Sequence, residues 1–220
     1  EIERSLKRLQ VDYVDIYLLH NFDADTPLDE TLRAFDDLVR QGKVRYTGAC
    51  NFSAAQVVEA LWTAERGGMD RWAILQNQYS LLHRWEIEPE LLSLCERLGL
   101  GMMTYSPLAI GLLTGRFRRG QVPAADSPWA NGERFDAVMS EANDALIAKL
   151  GEVAQAHGKS PAQVAIAWLL DHAQVTAPII GPDRPEHVAE VLGALDIALD
   201  PGERSVLDEL SQWQRLERIF

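Results

Sequence analysis

Five short β-rich runs, each followed by a stretch of different periodicity, constrain this chain more than any other feature. They are Val14 to Leu19, Val44 to Ala49, Ala73 to Gln76, Leu100 to Tyr105 and Thr176 to Ile180. Between them the apolar residues keep a 3.6-residue period, as in Leu28, Leu32, Phe35, Leu38 and Val39, or Val57, Val58, Leu61 and Trp62. Parallel strands cannot be joined by tight turns and need a crossover element, so strands alternating with helices predict an α/β fold with a parallel sheet.

Helix boundaries are legible from punctuation. Pro27 opens one helix, Gln41-Gly42 ends it, and Ser53 is a candidate N-cap for the next, which Gly67-Gly68 closes. A helix from about Glu86 to Leu98 ends at Gly99. Others are expected over Ala142 to His157, Ser160 to Asp171, Pro185 to Ala194 and Pro201 to Trp213. Ile2, Leu6 and Leu9 also keep helical spacing, with no capping residue before them. Ser106 to Arg134 is rich in Gly, Pro and Arg with little periodicity, which predicts a long loop over a site.

A closed (β/α)₈ TIM barrel needs eight strands, and a doubly wound sheet usually announces itself by a glycine-rich phosphate loop that is missing here. The expectation is therefore one domain over residues 1–220, represented by about the last five βα units of a barrel.

The 47% hydrophobic content is ample for a core. No stretch is long and apolar enough for a membrane span, and "EIERSLKRLQ" lacks the features of a signal peptide, so a cytoplasmic location is expected. The net charge of −12, with no basic run, argues against nucleic acid and anionic membranes as partners. Cys50 and Cys95 lie far apart without zinc spacing, so both are read as reduced thiols.

In a (β/α)₈ barrel chemistry gathers at the C-terminal ends of the strands. The first run ends in His20, followed by Asn21, Asp23 and Asp25. The second ends in Cys50-Asn51, the third in Gln76-Asn77-Gln78, the fourth in Tyr105-Ser106 and the fifth in Gly181. Amides and hydroxyls at successive ends suit a neutral carboxamide, and an aromatic can lie against its ring. Two other chemistries compete. Cys50 could be a nucleophile, although no partner His is nearby in sequence and a small buried thiol is the commoner outcome. His20, Asp23 and Asp25 could bind a metal in a hydrolase, though their spacing is loose and a solvated acidic loop explains it as well.

The segments "DYVDIYLLH", "GKVRYTGACNFS", "LQNQYSLL", "YSPLAIGLLTGR" and "IIGPDRPEHVAEVLGAL" occur in an order that resembles the aldo-keto reductase family across essentially the whole chain. The resemblance implies a (β/α)₈ barrel that reduces aldehydes and ketones with NADP(H), with NAD(H) possible. The implied partner is a small-molecule carbonyl substrate, and the implied oligomeric state is monomer or weak homo-oligomer.

By the same resemblance, His20 matches the histidine that orients and polarises the substrate carbonyl. Asn51 and Gln76 match the pair that binds the nicotinamide carboxamide, Cys50 stands where the family most often has Ser, and Tyr105 matches the aromatic that stacks on the ring. Ser106, Leu108, Gly111 and Arg116 lie in a segment similar to the pyrophosphate-covering loop, with Arg116 as a solvated charge the plainer reading. Gly181, Arg184 and His187 fall in a stretch that resembles the adenosine 2′-phosphate site. Several relatives carry a cation at Gly181, an Arg at His187 and an Asn at Val191, and Asp183 adds a negative charge, so the stretch fits the 2′-phosphate incompletely.

The family's tetrad is Asp, Tyr, Lys and His, and only His20 has a match. Lys7, Lys43, Lys149 and Lys159 all fall in helices or before a strand. The expectation is that the missing Asp, Tyr and Lys lie upstream of Glu1 and that this chain alone is inactive or nearly so. The alternative is a non-catalytic nicotinamide-binding regulatory subunit, like the potassium-channel β subunits that the chain also resembles. Trp85 and Trp129 are candidates for the walls of the substrate pocket, and Trp129 and Trp213 for an apolar lid, with core or surface packing the equal alternative.

Overall fold

The computed structural model describes residues 1–212, and they fall into two compact units. The first comprises Glu1–Asn77 and Pro89–Met103; the second comprises Gln78–Glu88 and the chain from Thr104 onward.

In the first unit, β1 (Val14–Leu19), β2 (Val44–Cys50) and β3 (Ile74–Gln78) pair in parallel. The register sets Leu19 beside Ala49 and Cys50 beside Gln76. The crossovers are α2 (Leu28–Arg40), α3 (Ala54–Gly67) and α4 (Leu91–Leu98), and α1 (Ile2–Leu9) precedes β1. Punctuation explains their ends. Ser53 and Gln56 form a reciprocal capping box at the start of α3, and Gly68 and Gly99 end α3 and α4 in the left-handed conformation. Between strands and helices lies a core of Ala49, Phe52, Val57, Ala60, Trp72, Leu75, Cys95 and Met102. Phe52 meets Trp72 edge-on with ring centroids 5.1 Å apart.

β4 (Gly101–Tyr105) is shared by the two units, its last two residues, Thr104 and Tyr105, lying in the second. There β5 (Val175–Pro178) runs out to Ile179, whose N–H bonds the Thr104 carbonyl at 2.7 Å. Around it are α5 (Gly132–Val138), α6 (Glu141–His157), α7 (Pro161–Leu170), α8 (Pro185–Leu192) and α9 (Pro201–Leu210). Ala162 to Leu169 of α7 are all buried, which makes it the central helix of this unit. Its Ser160–Gln163 box and Pro161 fix where it starts.

Several boundaries differ from expectation. α4 starts at Leu91 rather than Glu86 because Pro89 disfavours helix at the residue before it, and Glu86 and Glu88 are spent on His83 and Arg84. The expected loop after Ser106 holds a 3₁₀ turn at Leu112–Thr114, and α5 is capped by Asn131, whose side chain accepts from the Arg134 N–H. Of its two alternatives, lid and core, Trp129 takes the core. Its ring is fully buried beside Phe135, and its Nε1–H donates to the Ile110 carbonyl at 3.0 Å. Trp85 is half-buried, and Trp213 lies outside the described residues.

Candidate functional site

In the first unit the ends of β1, β2 and β3 bring His20, Asn21, Cys50, Asn51 and Gln76 together through hydrogen bonds. The Asn51 N–H donates to the Gln76 carbonyl at 3.0 Å. Its side-chain Nδ2 donates both to the His20 carbonyl at 3.1 Å and to Asn21 Oδ1 at 3.0 Å. Asn21 Nδ2 in turn lies 2.9 Å from His20 Nδ1. Asn51 has φ 60°, a left-handed conformation that asparagine tolerates better than most residues. His20 and Asn21 are exposed, and Gln76 is half-buried.

The Cys50 thiol donates to Gln76 Oε1 at 3.2 Å, so this oxygen is occupied while the amide nitrogen keeps its two donor hydrogens. Burial pushes Cys50 up to about 11. A thiol so placed stays protonated at neutral pH and makes a poor nucleophile. Cys95 is pushed to about 11 by the same cause. We expect neither thiol of the folded chain to react quickly with DTNB at pH 8, and both to react once denaturant is added. Because both folded values lie above the ordinary 9.0, their contribution to stability is whole below pH 9 and lost as the pH rises toward about 11. Denaturant midpoints measured across that window should fall.

The first acidic residue after His20 is engaged locally. Asp23 accepts from the Thr26 hydroxyl at 2.7 Å and from the Asp25 N–H at 3.0 Å, and these bonds lower its pKa. Among the described residues no group of three or more His, Cys, Asp or Glu is placed to hold a metal ion. Of the lysines, Lys43 pairs with Glu3, Lys149 with Glu152 and Lys159 with Asp196.

In the second unit Tyr105 and Ser106 leave β4 half-buried. Ser106 has φ 53°, and Ala109, Ile110 and Gly111 follow with φ 48°, 52° and 84°. Gly111 adopts this left-handed conformation freely, but it is costly for Ala109 and above all for the β-branched Ile110, and such strain persists only where the surroundings enforce it. Here the buried Trp129 holds the Ile110 carbonyl, and the Thr114 hydroxyl donates to the Gly111 carbonyl at 2.6 Å. Backbone amides in such runs form a concavity that suits an anion. Leu108 is half-buried, and Arg116 is exposed. Gly181 is exposed and open, with nothing within 4 Å of where a Cβ would sit. Arg184 stands at the N-cap position of α8 without a side-chain capping bond, and its guanidinium donates to His187 Nε2 at 3.2 Å.

Sequence reasoning named Asn21 as a neighbour of His20 and gave it no part. Nothing in its residue type or spacing shows that its amide would bridge His20 and Asn51.

The chain resembles known proteins along most of its length. It is 36% identical over 209 residues to an oxidoreductase of Bacillus subtilis, YrpG, covering 95% of this chain and 62% of that one. It is 34% identical to the L-glyceraldehyde 3-phosphate reductase of Escherichia coli (97% and 64% covered). It is 38% identical to a probable voltage-gated potassium channel subunit beta of Oryza sativa (88% and 60%). The chain thus spans about three-fifths of the length of the curated relatives it matches. A crystal structure of a thermostable aldo-keto reductase, Tm1743, in complex with the inhibitor epalrestat superposes with a TM-score of 0.74 at 33% identity, covering 95% of this chain and 64% of that one. With the family model matching residues 1–212 as well, the chain belongs to the aldo/keto reductase family.

Proposed function

We propose that the protein is an NADP(H)-dependent reductase of small aldehydes and ketones. The observation that carries this reading is the set of strand-end groups in the first unit, where the Asn51 side-chain amide bonds the His20 carbonyl and the Asn51 backbone N–H bonds the Gln76 carbonyl, so that an exposed histidine and two amide residues meet at the ends of three adjacent strands. Amides are the donors and acceptors that recognise a neutral carboxamide, and Gln76 keeps its Nε2 hydrogens for that purpose. Tyr105 supplies the flat face for a nicotinamide. The left-handed run Ala109–Gly111, with Ser106, Leu108 and Arg116, suits a pyrophosphate through backbone amides and a cation. Arg184 and His187 are the groups available to a 2′-phosphate, and with one firm cation between them NAD(H) remains a competitor.

When bound, the dinucleotide supplies the hydride. The chain's own task at the reacting centre is His20, whose imidazole donates a hydrogen bond to the carbonyl oxygen as negative charge develops there. Lys43, Lys149 and Lys159 are all engaged with carboxylates. With only His20 matching the family's tetrad, residues 1–220 on their own are expected to bind cofactor and to turn over slowly or not at all.

The similarity to a potassium-channel β subunit favours a second reading, a nicotinamide-binding regulatory subunit without turnover. Consumption of NADPH by the full-length protein with para-nitrobenzaldehyde separates the two. Turnover supports the reductase, while tight NADPH binding without turnover supports the subunit. Gln76→Leu should weaken NADPH binding about tenfold, the value of a lost hydrogen bond. It should leave ADP-ribose, which lacks the nicotinamide, unchanged. Equal weakening of both ligands would make Gln76 a structural residue only.

A further inference from the structure

We propose that Asn21 is a positioning residue that, together with Asn51, holds the neutral His20 ring in the Nε2–H tautomer. The proposal rests on the reading of His20 as the hydrogen-bond donor to the carbonyl, and it supplies the reason that the ring has a proton to donate.

The assignment follows from one group whose role is fixed. The His20 backbone carbonyl can only accept, so the Asn51 side-chain atom 3.1 Å from it is the amide nitrogen. The same nitrogen lies 3.0 Å from the Asn21 side chain and must meet an oxygen there, which fixes Asn21 Oδ1. The other arm of that amide, Nδ2, then faces His20 Nδ1 at 2.9 Å. An amide nitrogen only donates, so Nδ1 must offer its lone pair. The single proton of the neutral ring is left on Nε2, the nitrogen that keeps a hydrogen to donate. Neither amide can be turned over without setting two oxygens, or two nitrogens, against each other.

The left-handed backbone of Asn51 goes with this arrangement, since Asn51 bonds the Gln76 carbonyl with its own N–H and reaches His20 and Asn21 with its side chain. One strand-end residue thereby links the proposed carboxamide site to the protonation of the proposed carbonyl donor. The bonds are exposed, so each is modest, and the expected bias toward one tautomer is on the order of tenfold.

The test is the ¹⁵N spectrum of the His20 ring in the full-length protein. It is recorded about two pH units above the ordinary histidine value of ~6.5, with the signals assigned by His20→Gln. The expected result is an unprotonated, pyridine-like Nδ1 and a protonated, pyrrole-like Nε2. In Asn21→Asp the carboxylate can only accept, so the two signals should exchange character. In Asn21→Ala they should move toward the average of the two forms. A protonated or averaged Nδ1 in the wild-type protein overturns the proposal before any variant is made. So does a ring spectrum that Asn21→Ala and Asn21→Asp both leave unchanged. The spectrum does not depend on turnover, so an inactive enzyme with the expected ring pattern would discard the carbonyl role of His20 and keep the tautomer assignment.

Discussion

Replacing Gly48 by alanine should destabilise the fold by more than about 4 kcal/mol, among the largest effects a single methyl group produces. Gly48 lies in β2 opposite Ile74 of β3. A Cβ built on it would sit 2.0 Å from the Ile74 carbonyl oxygen, 2.9 Å from the carbonyl carbon and 2.9 Å from Leu18 Cδ2. The first two atoms are backbone in the neighbouring strand and cannot rotate away, so the strands must separate or the ladder must slip. A one-residue slip would turn every side chain of β2 to the opposite face, and it would also break the pairing that sets Cys50 beside Gln76. Urea unfolding followed by circular dichroism measures the loss. Gly181→Ala is the control, since nothing lies within 4 Å of that position, and it should stay within about 0.5 kcal/mol. A shift below 1 kcal/mol for Gly48→Ala would mean that the two strands do not approach so closely.

Gly48 also illustrates what the sequence could and could not convey. β2 was legible because Val44, Tyr46 and Thr47 are β-formers flanked by turn residues, but a glycine in a strand does not say which neighbour presses on it. Helix starts were legible where capping chemistry is local: Ser53 with Gln56, Ser160 with Gln163 and Asp200 with Glu203 each carry their partner three residues on. α5 was missed because Asn131 caps only seven residues, of which Phe135 and Val138 are buried, too few to make a period. Trp129 stood between lid and core for a different reason. Its surroundings give no sign that a strained Ile110 carbonyl needs an indole donor. In the candidate site His20, Asn51 and Gln76 could be found because each ends a strand, whereas the role of Asn21 depends on a hydrogen bond reaching 30 residues along the chain.

Arg84→Leu should cost about 3–5 kcal/mol, the range for removing one partner of a buried ion pair. Arg84 is held on every side: Nε and Nη2 meet the two Glu88 oxygens at 2.6 and 2.9 Å, and Nη1 donates to the Asp208 carbonyl at 2.9 Å and to the Ser211 hydroxyl at 2.6 Å. The side chains of Arg84 and Glu88 are only 11% and 17% exposed, and the guanidinium lies 5.2 Å from the centre of the Trp168 ring. Without the arginine, Glu88 keeps a bond from the Tyr79 hydroxyl, 2.8 Å away, but faces a low-dielectric interior as a bare anion. Tyr79 cannot take up the difference, because burial, together with Glu88, already holds its phenol far above the ordinary range. The second change that should restore stability is therefore Glu88→Gln, which keeps an acceptor for Tyr79 and removes the charge. Arg84→Leu/Glu88→Gln is expected to be more stable than Arg84→Leu alone, and this non-additivity is the signature of a charge left unpaired. If the double variant is instead less stable by the sum of the two single losses, Arg84 contributes through its hydrogen bonds to Asp208 and Ser211 in α9 and the turn after it, and the ion pair with Glu88 is incidental.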